Sequence, residues 1–309
     1  MNDISPVAMT TNADITKAIR EAAMLAYVSL GSWSAREKDD ELMEGVKRDH
    51  QAEGDVGTVI KYLLAGADGK LKQVKAAYQA VRNHHYKLTL PWVNDPHADS
   101  KKGPRLLPHL LNPRYLVEIS EKRRIAIAER DEFIEAYPDL VVQARSRLKT
   151  MVSDASYPTA EQLRERFRIH VDFQPIPAGD QFSGLDQHML ERLAINLQKK
   201  QERQAMDAAT IMWRRARQPI EHLAERMTEA SDEDKKVFRE ATLDNVREML
   251  TLLPGWNVTG NPLVTEITED IERMMHGLTG EELRKDEALR AETADRAQKI
   301  VEKMARWGL

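Results

Sequence analysis

At 309 residues the chain is long enough for one large domain or two modest ones, with room for a buried core. Its 41% hydrophobic, 31% charged and only 6% aromatic residues suit a water-soluble helical chain better than a β-sandwich or barrel. A net charge of −4 supplies no whole-chain pull toward nucleic acid or anionic membrane, and the absence of cysteine excludes disulfides, thiolate catalysis, iron–sulfur clusters and Cys-based zinc sites.

The first residues have neither a basic start nor an unbroken apolar run, so they do not read as a secretory signal. Nowhere do roughly 20 apolar residues follow one another, so no membrane span is expected and the expected location is cytoplasmic. Helical periodicity dominates. Across 12–30, Ile15, Ile19, Ala22, Ala23, Ala26 and Tyr27 recur three and four apart, predicting one helix stopped by Gly31. Ser34 is placed to cap a second, highly charged helix reaching about His50. AEGDVG (52–57) reads as a linker and Asp68–Gly69 as a turn. From Lys70, residues Leu71, Val74, Tyr78 and Val81 share a helix face up to Pro91, which lacks the N–H to continue it.

The segment 91–112 holds prolines at 91, 96, 104 and 108 and is predicted non-helical, with LTL (88–90) and RLL (105–107) as extended arms of a short hairpin. Asn112 as N-cap and Pro113 at the first helical position start a long helix in which Ile127, Ile134, Val141 and Leu148 lie seven apart. Pro138 either kinks that helix or begins another. Helices 70–88 and 113–153 together predict an αα-hairpin.

Thr159 with Gln162 forms a capping box for a helix to Arg166. The period then changes to two. Phe167, Ile169, Val171 and Phe173 alternate with Arg168, His170, Asp172 and Gln174, predicting a half-buried strand stopped by Pro175 and Pro177. Its partner is expected from RLL or from another chain. A long helix follows over about 185–227, polar on every face at QKKQERQ (198–204) and interrupted by Pro219. Ser231 with Asp234 caps 232–253, closed by Pro254–Gly255. Asn261–Pro262 opens 262–276, and Thr279 with Glu282 caps a last amphipathic helix to about Arg306. The expected fold is mainly all-α: long helical hairpins in a coiled-coil-like bundle, helix near two-thirds of the chain, and a small β element around 167–174. The expected segments are N-terminal helices (1–68), a helical hairpin with a Pro-rich basic insert at 91–112 (69–156), and the strand, long kinked helix and C-terminal helices (157–309).

No catalytic signature stands out, and neither a cofactor nor a metal is expected. GADGKL (66–71) lacks phosphate-loop spacing and reads as a turn, while GSWSA (31–35) lacks the nucleophile-elbow glycine and reads as a helix junction. A metal site from His84 or His85 with His97, His109 and Asp95 would need the insert to fold back, so surface or capping histidines are the better reading. Charge is uneven: residues 82–124 carry nine Lys/Arg against four Asp/Glu, whereas 229–309 carry twelve against eighteen. Arg82, Lys87, Lys101, Lys102, Arg105, Arg114, Arg123 and Arg124, with Lys122 and the aromatic Trp92, form the candidate contact set. Cations interleaved with aromatics suit phosphate neutralisation and base stacking, or docking on an acidic protein face. Arg214, Arg215 and Arg217 beside Trp213 form a second, weaker set.

Several segments spread over most of the chain carry a resemblance: SLGSWSAREKD (29–39), HYKLTLPW (85–92), RLLP (105–108), YPTAEQLRERFRIHVDFQPIP (157–177) and NVREMLTLLPGWNVTGNP (245–262). Together they resemble a bacteriophage and prophage family of hypothetical proteins, a domain of unknown function. The resemblance implies a phage or prophage origin and a protein of the bacterial host cytoplasm. It also hints at assembly with an AAA+ ATPase or von Willebrand-type partner, and it brings no catalytic residues. The function expected from these readings is a non-enzymatic helical scaffold or adaptor acting through self-association, a homo-oligomer with protein partners. The alternative is a nucleic-acid-binding accessory protein using the basic 82–124 region.

Overall fold

The computed structural model describes residues 12–92, 103–178, 186–228 and 240–306. It is mainly helical, with 72% helix, a small four-stranded antiparallel sheet and a two-stranded sheet. The chain divides into two compact units, each assembled from separate stretches of sequence: one from 1–27, 86–115 and 172–309, the other from 28–85 and 116–171.

The elements run α1 (Asn12–Ala22), β1 (Ala23–Leu30), β2 (Arg36–Lys38), α2 (Asp40–His50), β3 (Ile60–Tyr62), α3 (Gly69–Leu88), β4 (Leu90–Pro91), β5 (Arg105–Pro108) and α4 (Asn112–Leu148). They continue with α5 (Ala160–Arg166), β6 (Ile169–Gln174), α6 (Gln187–Thr228), α7 (Glu240–Trp256), α8 (Pro262–Met275), α9 (Gly280–Lys285) and α10 (Glu287–Arg306). The larger sheet has the order β4-β5-β1-β6.

Several expectations near the start are overturned. The 12–30 run is helix only to Ala22; AMLAYVSL is strand β1, because Ala23–Ala26 find an antiparallel partner in Arg105–Pro108, in register Ala23 with Pro108 and Ala26 with Arg105. The GSWSA segment therefore follows a strand and is no helix junction. The cap of α2 is Asp39, whose carboxylate accepts from the Leu42 amide at 3.0 Å. Ser34 lies upstream of β2 and caps nothing. RLL does pair, but with β1 and β4, and β6 takes β1 as its neighbour instead.

In the unit containing 28–85 and 116–171, two ion pairs fix α3 and α4 as antiparallel. Lys70 Nζ lies 3.3 Å from a Glu132 oxygen and His84 Nδ1 3.1 Å from Glu118, so chain numbers rise on one helix as they fall on the other. The predicted hairpin is thus present. Its buried side is not the seven-spaced seam. Ala126, Phe133, Ile134, Tyr137 and Ala144 are buried, while Ile127, Val141 and Leu148 are only partly so. An aromatic cluster decides this. Trp33, Phe133 and Tyr137 meet one another at ring separations of 5.7 to 6.5 Å, Phe133 meets Phe167 at 5.8 Å, and Tyr78 meets Phe167 edge-on at 5.9 Å. Such pairs add to burial in the most apolar part of the unit.

The other unit packs α6, α7, α8 and α10 around buried Trp213, Ile220, Leu223, Leu253, Ile267, Ile271, Ala297 and Met304. Helices α4, α6 and α7 run through Pro138, Pro219 and Pro254, so Pro254 does not close its helix as expected. The predicted cap at Ser231 and Asp234 lies outside the described residues. Asn261 does cap α8 ahead of Pro262, through the Leu263 amide at 3.0 Å, and the Thr159 and Thr279 capping boxes are both formed. The last predicted helix is two: α9 ends before Asp286, whose carboxylate then accepts from the Leu289 amide to start α10. Asn112 is no cap. It sits in helical conformation after the 3-10 turn His109–Leu111, and its buried Oδ1 accepts no hydrogen bond.

Candidate functional site

The described members of the candidate contact set are divided between the two units. Arg82, Arg123 and Arg124 belong to one unit; Lys87, Trp92, Arg105 and Arg114 belong to the other. Lys101 and Lys102 lie outside the described residues, as do His97 and Asp95.

Burial removes the two central members. Trp92 is 5% exposed and Arg105 4% exposed. A ring so enclosed presents no face for a base to stack on, and a guanidinium so enclosed reaches no phosphate. Arg105 instead donates from Nε to the Thr89 hydroxyl at 2.7 Å and from a terminal nitrogen to the Thr89 carbonyl at 3.1 Å, and it lies 4.7 Å over the Tyr86 ring. Arg215, on α6, donates to the carbonyls of Tyr86 and Thr89 at 3.0 and 2.9 Å and lies 5.7 Å from the Trp256 ring. Helix α3 ends at Leu88, where its last carbonyls have no intrahelical donor. Two arginines from distant strands and helices supply what the helix cannot. Cations at a helix C-terminus also meet the negative end of its dipole.

The remaining cations are mostly engaged. Lys87 and Arg114 both pair with Glu248 on α7, and Arg114 also donates to the Thr251 hydroxyl. Arg124 makes a two-pronged pair with Glu121 at 2.7 and 2.9 Å. Arg82 is half-buried, with a terminal nitrogen 3.5 Å from the Gln79 side chain. Arg123 is exposed on α4. In the second set, Trp213 is buried and Arg217 pairs with Glu221 at 2.7 Å.

Burial shapes the phenols nearby. Tyr115 is fully enclosed, edge-on to Phe173 at 6.0 Å, and its burial pushes its pKa well above the ordinary phenol value. Histidines 84 and 85 are buried core residues and His109 is exposed; among the described residues no three His, Asp or Glu side chains gather as metal ligands do. A basic cleft of about 440 Å³ between α8 and α10 is lined by Arg273, Arg296, Lys299 and Lys303 over Met274 and Ile300. Each of its cations already holds a carboxylate: Asp270, Glu292, Asp295, or Asp270 with Glu266.

Sequence reasoning missed Thr89 and Glu248, groups that take up these cations. Helix periodicity carries no signal for them, since each lies far along the chain from its partner. QKKQERQ packs in part: Gln201 and Gln204 are buried, donating to the carbonyls of Pro177 at 2.7 Å and Trp92 at 3.5 Å. The first part of α6, residues 187–200, holds no buried residue at all. No helix among the described residues is long and apolar enough to cross a membrane. No protein-family model, no curated protein and no solved structure matches this chain.

Proposed function

We propose that the protein is a non-enzymatic helical scaffold or adaptor of a phage-encoded assembly, working in the bacterial host cytoplasm through self-association and protein partners. One observation carries the reading. Along α6 the stripe Gln201, Gln204, Ala205, Ala208 and Met212 is buried, and Leu190, Leu193, Ala194 and Leu197 extend it N-terminally at helical spacing. That extension is not enclosed: Leu193 and the flanking Met189 and Ile195 are exposed. Residues 187–200 amount to about 21 Å of helix at 1.5 Å per residue, a length over which an amphipathic face docks a helix or groove.

The resemblance to phage and prophage proteins supports the setting, and an AAA+ ATPase or von Willebrand-type protein is the foreign partner it suggests. Sedimentation velocity over a wide concentration range tests self-association. The expected result is a mass above that of the monomer, reduced when Leu193 and Leu197 are both replaced by Lys with the helical content unchanged. A monomer at every concentration overturns self-association.

A further inference from the structure

Strand β6 is the end strand of its sheet: β1 lies on one side, and no described strand lies on the other. The Gly31 amide donates to the Arg168 carbonyl at 2.9 Å, which sets the parity of the strand that follows. Backbone direction alternates along an antiparallel strand. His170, Asp172 and Gln174 therefore turn their amides and carbonyls toward β1, while Ile169, Val171 and Phe173 turn theirs outward. A sheet edge with no described strand beyond it is a template for another strand.

The order of side chains says which strand fits. Read outward from Val171, His170 answers Asp172, Ile169 answers Phe173, and Arg168 answers Gln174. We propose that a second copy of this chain covers this edge, the two β6 strands pairing antiparallel about a two-fold axis at Val171. The two Val171 residues then exchange both backbone hydrogen bonds, and Ile169 does the same with Phe173 of the partner subunit. On one face the half-buried Ile169 and Val171 and the more exposed Phe173 meet their counterparts. On the other, each His170 imidazole stands opposite the partner's Asp172 carboxylate, a donor facing an acceptor. Hydrogen-bonded polar pairs and apolar cross-strand pairs of this type stabilise a sheet.

Neighbouring registers fail. An axis at Ile169 sets Arg168 against the partner's His170, and an axis at Phe173 sets Pro175, which has no N–H, against Val171. An axis between two residues opposes outward groups to inward ones. The result is an isologous interface, self-complementary as two-fold symmetry requires.

This inference rests on the self-association proposed above and names one surface for it. The test is sedimentation velocity on the full chain, from micromolar to hundreds of micromolar, for wild type, Val171→Pro, His170→Asp and the double variant His170→Asp/Asp172→Lys. Because the Val171 amide points away from β1, proline there removes the outer bond and leaves the β1 pairing in place; circular dichroism verifies the fold. Wild type should dimerise. Val171→Pro and His170→Asp should each weaken dimerisation about tenfold or more, and the double variant, which sets opposite charges across the axis, should recover it. A folded Val171→Pro that dimerises like wild type, or a double variant no better than His170→Asp, overturns the β6 interface while self-association stands. If Val171→Pro fails to fold, the charge pair alone decides. A wild type that stays monomeric overturns both readings, and capture of an extended segment from another protein at this edge would then be the occupant.

Discussion

Leu111 lies so close to Gly255 that a Cβ placed at residue 255 would sit 2.6 Å from Leu111 Cγ and 2.7 Å from its Cδ2. The glycine lets the turn before α4 rest directly on α7. Gly255→Ala should therefore destabilise the protein by about 1–3 kcal/mol, the usual cost of overpacking a closed contact. Gly45, inside α2, has nothing within 4 Å of its added Cβ, so Gly45→Ala should stabilise by about 0.5–1 kcal/mol. Urea melts of the two variants, expected to move in opposite directions, check both.

Arg105→Ala removes the donor to the Thr89 hydroxyl, while Arg215 still serves the Thr89 carbonyl. The expected loss is about 2–3 kcal/mol, that of a hydrogen bond to a charged group. Arg105→Lys should recover only part of it, because an ammonium cannot serve both acceptors and lie flat on Tyr86. Equal stability of Arg105→Ala and wild type in denaturant titrations would contradict the capping role.

Alkaline stability follows from the buried phenols. Tyr78 donates its hydroxyl to the Phe167 carbonyl at 2.9 Å, and burial pushes its pKa from 10.0 up to about 12. Tyr137, also enclosed, is shifted in the same direction. Between those values the unfolded chain has lost a proton that the folded chain keeps, so its contribution to stability is complete below pH 10 and falls as pH rises to about 12. Tyrosinate absorbance should thus appear late and together with loss of helical ellipticity. Full phenol ionisation near pH 10 with the fold intact would contradict it.

Trp92 is a packing residue, so Trp92→Ala should cost about 3–5 kcal/mol of stability. It should leave any affinity for single-stranded DNA unchanged, as judged by fluorescence titration under conditions where the variant is folded. A selective loss of DNA affinity with stability intact would restore the base-stacking role.

Local chemistry explains what was legible in the sequence. The Thr159 and Thr279 capping boxes, the Asn261–Pro262 helix start and the alternation of β6 each depend on residues within a few positions of one another, so hydroxyls, amides and side-chain period declare themselves in order. The helical spacing of 12–22 was equally local and correct. Over 23–30 the same spacing gave the wrong element, since the small and apolar residues of AMLAYVSL satisfy either period at this length.

Tertiary structure decided the rest. Ala23–Ala26 became strand because Arg105–Pro108 offered backbone partners some eighty positions away, and pairing of buried backbone groups overrides a weak local preference. Arg105 and Trp92 lost their surface character for the same reason: Thr89, Tyr86 and Gln204 meet them only once β5, α3 and α6 are packed. A cation's charge is written in the sequence. Whether water or a distant carbonyl receives it is settled by burial, which no local pattern records.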